Sequence, residues 1–257
     1  LQDILVGLQH GDEGKGKISK CLADLNNYDC FIRFNGGPNA GHTIIYKGEK
    51  IILHQIPCGI LNNKPCLIST DCVVDTDKLK DEILLLEKKG IDVINNLYIS
   101  NMCHTITGDS IIEDYTNNYI GTTCSGIGPT YSKRALRTGC RIQPNSELYK
   151  LVEPFTFLQQ FDNKDNRIFF EGAQGFELDI NYGDYPYVTS SSCISNAIYL
   201  NGGDVLKKTY VYGVCKLYDT YVGSKEFGEE SDTDLNRLGE IGEEYGATTG
   251  RKRKCNW

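Results

Sequence analysis

Asp12, Glu13, Lys15 and Lys17 share one short glycine-rich stretch, Gly11-Asp12-Glu13-Gly14-Lys15-Gly16-Lys17. A glycine-rich turn that opens a helix gathers backbone N–H groups and the positive end of the helix dipole, which suits a phosphate, and the lysines add mobile positive charge. Carboxylates beside a phosphate are unfavourable unless they hold a metal ion or take a proton during the reaction. The stretch therefore reads as a place of chemistry as well as of binding. A second cluster, Asn35-Gly36-Gly37-Pro38-Asn39-Ala40-Gly41-His42-Thr43, puts a histidine into an irregular backbone. A histidine in such a loop is more often a structural hydrogen-bonder, but beside an acidic phosphate loop, protonated His42 would stabilise charge developing on a transferred phosphoryl group.

Further donor-rich loops follow. Gly121-Thr122-Thr123-Cys124-Ser125-Gly126-Ile127-Gly128-Pro129 precedes the basic run Lys133-Arg134-Ala135-Leu136-Arg137. Hydroxyls with arginines suit a second phosphate, the alternative being a solvated turn. In Glu171-Gly172-Ala173-Gln174-Gly175 the glutamine amide could read a base or amide edge, and residues 185–192 add hydroxyls. The run Gly246-Ala247-Thr248-Thr249-Gly250-Arg251-Lys252-Arg253-Lys254 reads as a carboxylate-gripping loop in an otherwise acidic chain. Together these loops imply several anionic substrates.

The elements that must position them are apolar β-type runs at 4–8, 30–34, 51–53, 66–69, 96–100, 167–170 and 209–213. Helical spacing appears between them, at 18–25 and at 77–89, where Leu79, Ile83, Leu84 and Leu86 follow the period. Alternating strands and helices predict an α/β fold with a mainly parallel central sheet flanked by helices. Glycine-rich loops then collect at the strand C-terminal ends, where ligands bind in such sheets. Residues 1–257 read as a single domain, with 224–234 as a polar surface loop.

Composition narrows the class. The 257 residues are 40% hydrophobic and carry 27 Lys+Arg against 34 Asp+Glu, a net charge of −7. That balance argues against nucleic acid or a membrane surface as partner. There is no apolar run long enough to span a bilayer and no secretory leader, so a cytoplasmic protein is expected. The absent initiator Met suggests that the sequence begins inside a longer product. The 11 cysteines are scattered without a CxxC pair and accompany only 4 histidines, which makes a zinc cluster unlikely and favours small buried hydrophobes in a reducing compartment.

The strings Gln9-His10-Gly11-Asp12-Glu13-Gly14-Lys15-Gly16-Lys17, Asn39-Ala40-Gly41-His42-Thr43, Phe170-Glu171-Gly172-Ala173-Gln174-Gly175 and Gly246-Ala247-Thr248-Thr249-Gly250-Arg251 stand in the order found in the adenylosuccinate synthetase family, which the chain resembles from 4 to 257. The resemblance implies a P-loop-NTPase-like α/β fold. It also implies a ligase that couples IMP to L-aspartate, using GTP and Mg²⁺, to give adenylosuccinate, GDP and phosphate. Asp12 would take the proton from N1 of hypoxanthine so that O6 attacks the γ-phosphate, with His42 steadying that phosphate, and aspartate's amine would then displace the 6-phosphoryl group. The implied catalytic set is Asp12, Lys15, His42 and Gln174, with Mg²⁺ on Asp12 and the Gly41 carbonyl. Implied IMP contacts are Asp12, Glu13, Gly14, Lys15, Asn39, Ala40, Gly41, His42, Thr123, Gln174, Thr189 and Arg251, with Arg137 lent across a homodimer interface. The GTP set is Gly11, Asp12, Glu13, Gly14, Lys15, Gly16, Lys17, Gly41, His42, Thr43 and Arg253. The aspartate set is Val222, Ala247, Thr248, Thr249, Gly250, Arg251, Lys252 and Arg253.

The chain departs from the family pattern at several places. His10 replaces an aromatic, Cys124-Ser125 replaces Gly-Arg, Tyr221 replaces an arginine, and 223–230 lacks the glycine-proline pattern. The segment between Thr123 and Gln174 is shorter than in common bacterial forms. The family continues past the position of Trp257 with a Lys-x-Asp section that reads guanine, so a fragment is expected and the donor base is left open. One alternative is a viral type of relative that joins aspartate to dGMP. Those relatives alter the position of Asp12, which is intact here and favours IMP. A non-catalytic nucleotide-binding remnant is the other. A generic phosphate-loop NTPase fits less well, because Gly-x-x-x-x-Gly-Lys-Ser/Thr does not occur in the first loop.

Overall fold

The first apolar run forms β1 (Gln2–Gly7), buried along its whole length, as a strand covered on both faces of a parallel sheet must be. The computed structural model describes residues 1–145, 147–228, 232–246 and 250–257. Behind the acidic loop, α1 (Lys15–Leu25) starts from Gly14 in the left-handed region at φ 91°, and among the described residues no side chain caps it. Its first N–H groups are therefore left for an anion. Next come buried β2 (Cys30–Arg33) and the antiparallel hairpin β3 (His42–Tyr46) and β4 (Glu49–Leu53). Buried β5 (Cys66–Ile68) and the short β6 (Val73–Val74) lead to α2 (Thr76–Lys88), whose N-terminus is capped by Asp75 accepting from the Lys78 N–H. The chain continues through β7 (Leu97–Ser100), β8 (His104–Thr105), α3 (Gly108–Thr116), α4 (Ile127–Leu136), β9 (Lys150–Val152) and α5 (Pro154–Gln159). Then β10 (Ile168–Glu171), β11 (Thr209–Val214), β12 (Asp219–Tyr221), α6 (Thr233–Ile241) and β13 (Lys254–Asn256) complete the described strands and α-helices.

The central sheet has 7 strands in the order β11-β1-β10-β2-β5-β7-β9, every neighbour parallel. Side chains alternate across it. Leu5, Phe31, Phe169, Ile68 and Ile99 enter one core, and Ile4, Ile32, Phe170 and Leu67 enter the core on the other face. Each of these large side chains contributes roughly 1.5–3 kcal/mol by leaving water. The register sets Leu5 opposite Glu171 and Glu171 opposite Arg33. The loops that leave β1, β10 and β2 therefore emerge side by side at one edge, which is how sequence-distant loops come to share one site.

Some expectations change. The run at 51–53 belongs to the β3–β4 hairpin and not to the central sheet. Leu84 is 40% exposed while Leu79, Ile83 and Leu86 are buried, so the apolar stripe of α2 is narrower than its sequence suggests. Strand β9, with exposed Lys150, was not expected, since it is short and lies at the sheet edge. Within 224–234, residues 229–231 lie outside the described ones, and Asp232 caps α6. All cysteines are free thiols, with Cys30, Cys58, Cys66, Cys72, Cys103 and Cys193 buried as small hydrophobes.

Candidate active site

Within the acidic loop the two carboxylates part company. Glu13 turns inward, where one oxygen accepts the N–H groups of Gln9 and Gly11 at 3.1 Å each and the other accepts from Lys15 Nζ at 2.5 Å. Glu13 therefore shapes the loop and balances Lys15 from behind. Asp12 turns outward from a left-handed backbone, φ 58°, with its carboxylate 2.8 Å from Arg253 Nε. Gly175 lets the loop lie this close to the 172–175 segment: a Cβ there would stand 2.2 Å from the Gln9 carbonyl and 2.4 Å from Glu13 Oε1.

His42 opens β3 directly against α1. It is buried, with Nδ1 2.8 Å from Glu171 Oε1, and Glu171 also accepts from Arg33 Nη2 at 2.6 Å, Ser19 Oγ at 2.7 Å and the Cys58 N–H at 2.9 Å. The other ring nitrogen, Nε2, is buried without a partner among the described residues. Burial first, and then the nearby Arg33 charge, push the ring down to about 4, against the pull of Glu171. Burial alone would raise the Glu171 carboxyl, but Arg33 and His42 hold it far below the usual carboxylate range. In the substrate-free cleft burial and Arg33 therefore favour the neutral ring, and the expected proton belongs to the state with a phosphoryl group at Nε2.

A sign follows for stability. Between an unfolded-state value near 6.5 and the folded value of about 4, the unfolded chain binds a proton that the folded chain does not. Stability from this group is complete above pH 6.5 and is lost as pH falls towards 4. Urea midpoints should therefore drop from pH 7.5 to pH 5 more steeply for the wild type than for His42→Gln, and equal slopes would show that the buried ring is not held neutral.

Asp12, Lys15, His42 and Arg253 line a cleft of about 600 Å³. Of the expected residues, Gly11, Asp12, Gly14, Lys15, Gly16, Asn39, Ala40, Gly41, His42, Thr43, Thr123, Gln174, Thr189, Val222 and Arg253 are in its wall. Glu13 and exposed Lys17 lie outside the wall, as do Gly250, Lys252, Arg137 and Arg251. Lys252 instead borders a second hollow with Phe227 and Leu235. Arg251 Nη2 donates to the carbonyls of Gly121 at 2.9 Å and Thr122 at 3.0 Å, so it ties the C-terminal run to the third loop. Arg137 is exposed at the end of α4, in the left-handed region at φ 63°. Ala247, Thr248 and Thr249 lie outside the described residues.

Other wall residues were not singled out from the sequence. Tyr119, Thr122, Ser132, Tyr187 and Ser190 reach the cleft. The general hydroxyl content of 121–129 and 185–192 flags Thr122, Tyr187 and Ser190, while no sequence signal marks Tyr119 or Ser132. Tyr221, already noted as a departure from the family pattern, is in the wall too. Cys124, at φ 52°, accepts from Asn118 Nδ2 at 2.9 Å, and buried Ser125 bonds with Thr123, so this pair rigidifies the third loop from outside the wall. His10 packs among aromatic rings. Its ring meets Phe227 edge-on at 4.9 Å and Tyr221 at 5.5 Å, while Nδ1 lies 2.6 Å from Asp219 Oδ2.

The donor set also suits a hard cation: the Asp12 carboxylate and the Gly41 backbone both face the cleft, and oxygen donors of this kind are what Mg²⁺ takes. Arg253 now supplies the positive charge beside Asp12. His42, Cys58 and Glu171 also converge, with ligand atoms within 4.8 Å of one another, but the Glu171 carboxylate there is already engaged by Arg33, His42, Ser19 and Cys58. Burial further pushes the Cys58 thiol up, away from the thiolate a metal needs.

The family model described as adenylosuccinate synthetase matches residues 4–154 and 145–257. Adenylosuccinate synthetase of Chlorobaculum tepidum is 38% identical, covering 99% of this chain and 70% of that protein. The enzyme of Colwellia psychrerythraea is 37% identical over 99% of this chain and 71% of its own length. Among solved structures, a fully ligated adenylosuccinate synthetase from Plasmodium falciparum superposes with a TM-score of 0.89 at 33% identity, covering 99% of this chain and 71% of that one. The cyanophage S-2L succinoaminodeoxyadenylate synthetase, bound to dGMP and dATP, reaches 0.83 at 22% identity, covering 100% of this chain and 78% of that one, a likeness of fold alone.

Proposed function

The chain belongs to the adenylosuccinate synthetase family, and from that premise we propose how its cleft performs the family's reaction. The activity is the GTP-dependent ligation of IMP and L-aspartate to adenylosuccinate, which forms a C–N bond in purine nucleotide biosynthesis. One observation carries the assignment of roles: Asp12 shares the cleft with His42 and Gln174, and two atoms there, His42 Nε2 and Gln174 Oε1, are buried without partners among the described residues. Buried polar atoms of this kind are costly until a ligand satisfies them.

Asp12 accepts the N1 proton of IMP, the electron pair shifts to O6, and O6 attacks the γ-phosphorus of GTP as the bond to GDP breaks. Its pairing with Arg253 must open for this, which leaves Arg253 free for phosphate or carboxylate oxygens. Mg²⁺, held by Asp12 and the Gly41 carbonyl, would neutralise phosphate charge. Lys15 and the amides at the start of α1 hold phosphate oxygens. His42 Nε2 faces the phosphoryl group, whose negative charge favours a proton on the ring. The aspartate amine then attacks C6 and phosphate leaves. Thr123, Thr189 and Asn39 grip the IMP side, and Arg251 acts there by fixing the third loop. We assign Arg137 to the IMP site of a neighbouring subunit in a homodimer, a reading supported by its exposure outside its own cleft. The free cysteine thiols support a reducing, cytoplasmic setting for this enzyme. Among the described residues no helix is long and apolar enough to cross a membrane.

The test is product formation from aspartate, GTP and Mg²⁺ with either IMP or dGMP as acceptor. Adenylosuccinate from IMP is expected. Turnover of dGMP alone would overturn the acceptor, and nucleotide binding without any product would overturn the enzyme reading.

A further inference from the structure

We propose that Glu171 is a positioning residue for this reaction: it takes the Nδ1–H of His42 and thereby presents Nε2, and only Nε2, to the phosphoryl group. The inference rests on the reading of His42 as the phosphate contact. Three groups surround Nδ1. Glu171 Oε1 lies 2.8 Å away, Arg33 Nη2 3.2 Å away and Cys58 Sγ 3.9 Å away. The first demands a proton on Nδ1, the second would be satisfied by a bare Nδ1 with the proton on Nε2, and the thiol is the most distant and can donate instead to the Gly16 carbonyl. Distance and charge both decide for the carboxylate. Arg33 Nη2 already donates to Glu171 at 2.6 Å, and an imidazole lone pair facing a carboxylate in a dry interior would be strongly repelled.

The carboxylate cannot turn away from this duty. Ser19 of α1 donates to it at 2.7 Å, the Cys58 N–H donates at 2.9 Å, and Arg33 grips it from β2, the neighbouring strand in register. Glu171 thus ties the phosphate-loop helix, the central sheet and the His42 ring into one rigid unit. Stability alone is a weak reason for such a cluster, because a buried ion pair is often replaceable by apolar side chains of similar volume without loss. Orienting a reacting imidazole is a stronger reason, since the hydrogen bond at one ring nitrogen decides what the other can offer.

Long-range ¹⁵N–¹H NMR on the free wild-type chain at neutral pH reads the ring directly. A neutral Nδ1–H tautomer is expected, and a dominant Nε2–H tautomer would overturn the proposal whether or not the chain makes adenylosuccinate. In Glu171→Gln the amide can donate to Nδ1, so the Nε2–H tautomer should appear and kcat should fall by about 10–100-fold, with KM for IMP and GTP within about threefold. A folded Glu171→Gln that keeps both wild-type tautomer and wild-type kcat would sink the idea. If that variant does not fold, Ser19→Ala loosens the carboxylate without touching His42. It should broaden the ring signals and lower kcat severalfold, and unchanged signals with unchanged kcat count against Glu171.

Discussion

Asp12→Asn should leave the fold intact and lower kcat by about 10²–10⁴-fold, the range for loss of a positioned general base. The fold is spared because Asn is, after Gly, among the residues that best tolerate the left-handed backbone found here at φ 58°, and because the side chain, 31% exposed, is not part of a core. Size and one acceptor survive. The ability to take the N1 proton is lost, as is the charge that balances Arg253 or a divalent cation. The magnitude separates two readings of the residue. A partly exposed ion pair that merely tied the loop to Arg253 would be worth about 0.2–1 kcal/mol, which no steady-state assay would register as a hundredfold loss. Turnover measured with IMP, aspartate and GTP, alongside urea midpoints, checks both halves. A kcat within a few fold of wild type would remove Asp12 as the base, and a shifted midpoint would show that the residue holds the loop together.

Much of the scaffold was legible because buried parallel strands announce themselves as short apolar runs, and the glycine-rich strings behind 4–8, 30–34 and 167–170 do emerge at one sheet edge. Local reading stops short where hydrogen-bond partners decide what a side chain does. The Glu13 carboxylate stands in an acidic phosphate loop, and its oxygens accept from Gln9, Gly11 and Lys15 within that loop. Glu171 was visible only as the first letter of a glycine-rich string. Its meaning depends on Arg33, 138 positions away, and on a register that no periodicity encodes. The same holds for Arg251, whose guanidinium grips the carbonyls of Gly121 and Thr122, 130 and 129 positions earlier, a tie that no local pattern announces. The resting state of His42 is hidden for a related reason: the sequence shows a histidine beside lysines and acids, but only the structure shows that the ring is dry and flanked by Arg33.

Gly16→Ala is the other substitution with a large expected effect, and here two rules point in opposite directions. Helix propensity alone predicts a gain of roughly 0.5–1 kcal/mol, since Gly16 lies within α1. Packing predicts a loss, because a Cβ at position 16 would stand 2.7 Å from His42 Cβ, 2.9 Å from its Cα and 3.0 Å from its carbonyl carbon. Contacts that close fall on backbone, so no rotamer change relieves them, and either α1 or the start of β3 must move. Overpacking of this kind costs about 1–3 kcal/mol, which exceeds the propensity gain. The displaced group is the histidine proposed above for the phosphoryl contact, and a shift approaching 1 Å at such a group can cost about 10²-fold in rate. The variant should therefore be less stable than wild type and about a hundredfold slower. Its KM for aspartate should stay close to wild type, since Val222 and Arg253 line the cleft from other segments. A variant more stable than wild type would show that α1 and β3 are not in hard contact. A slow variant with a weakened grip on all three substrates alike would place the damage in the fold and not at His42.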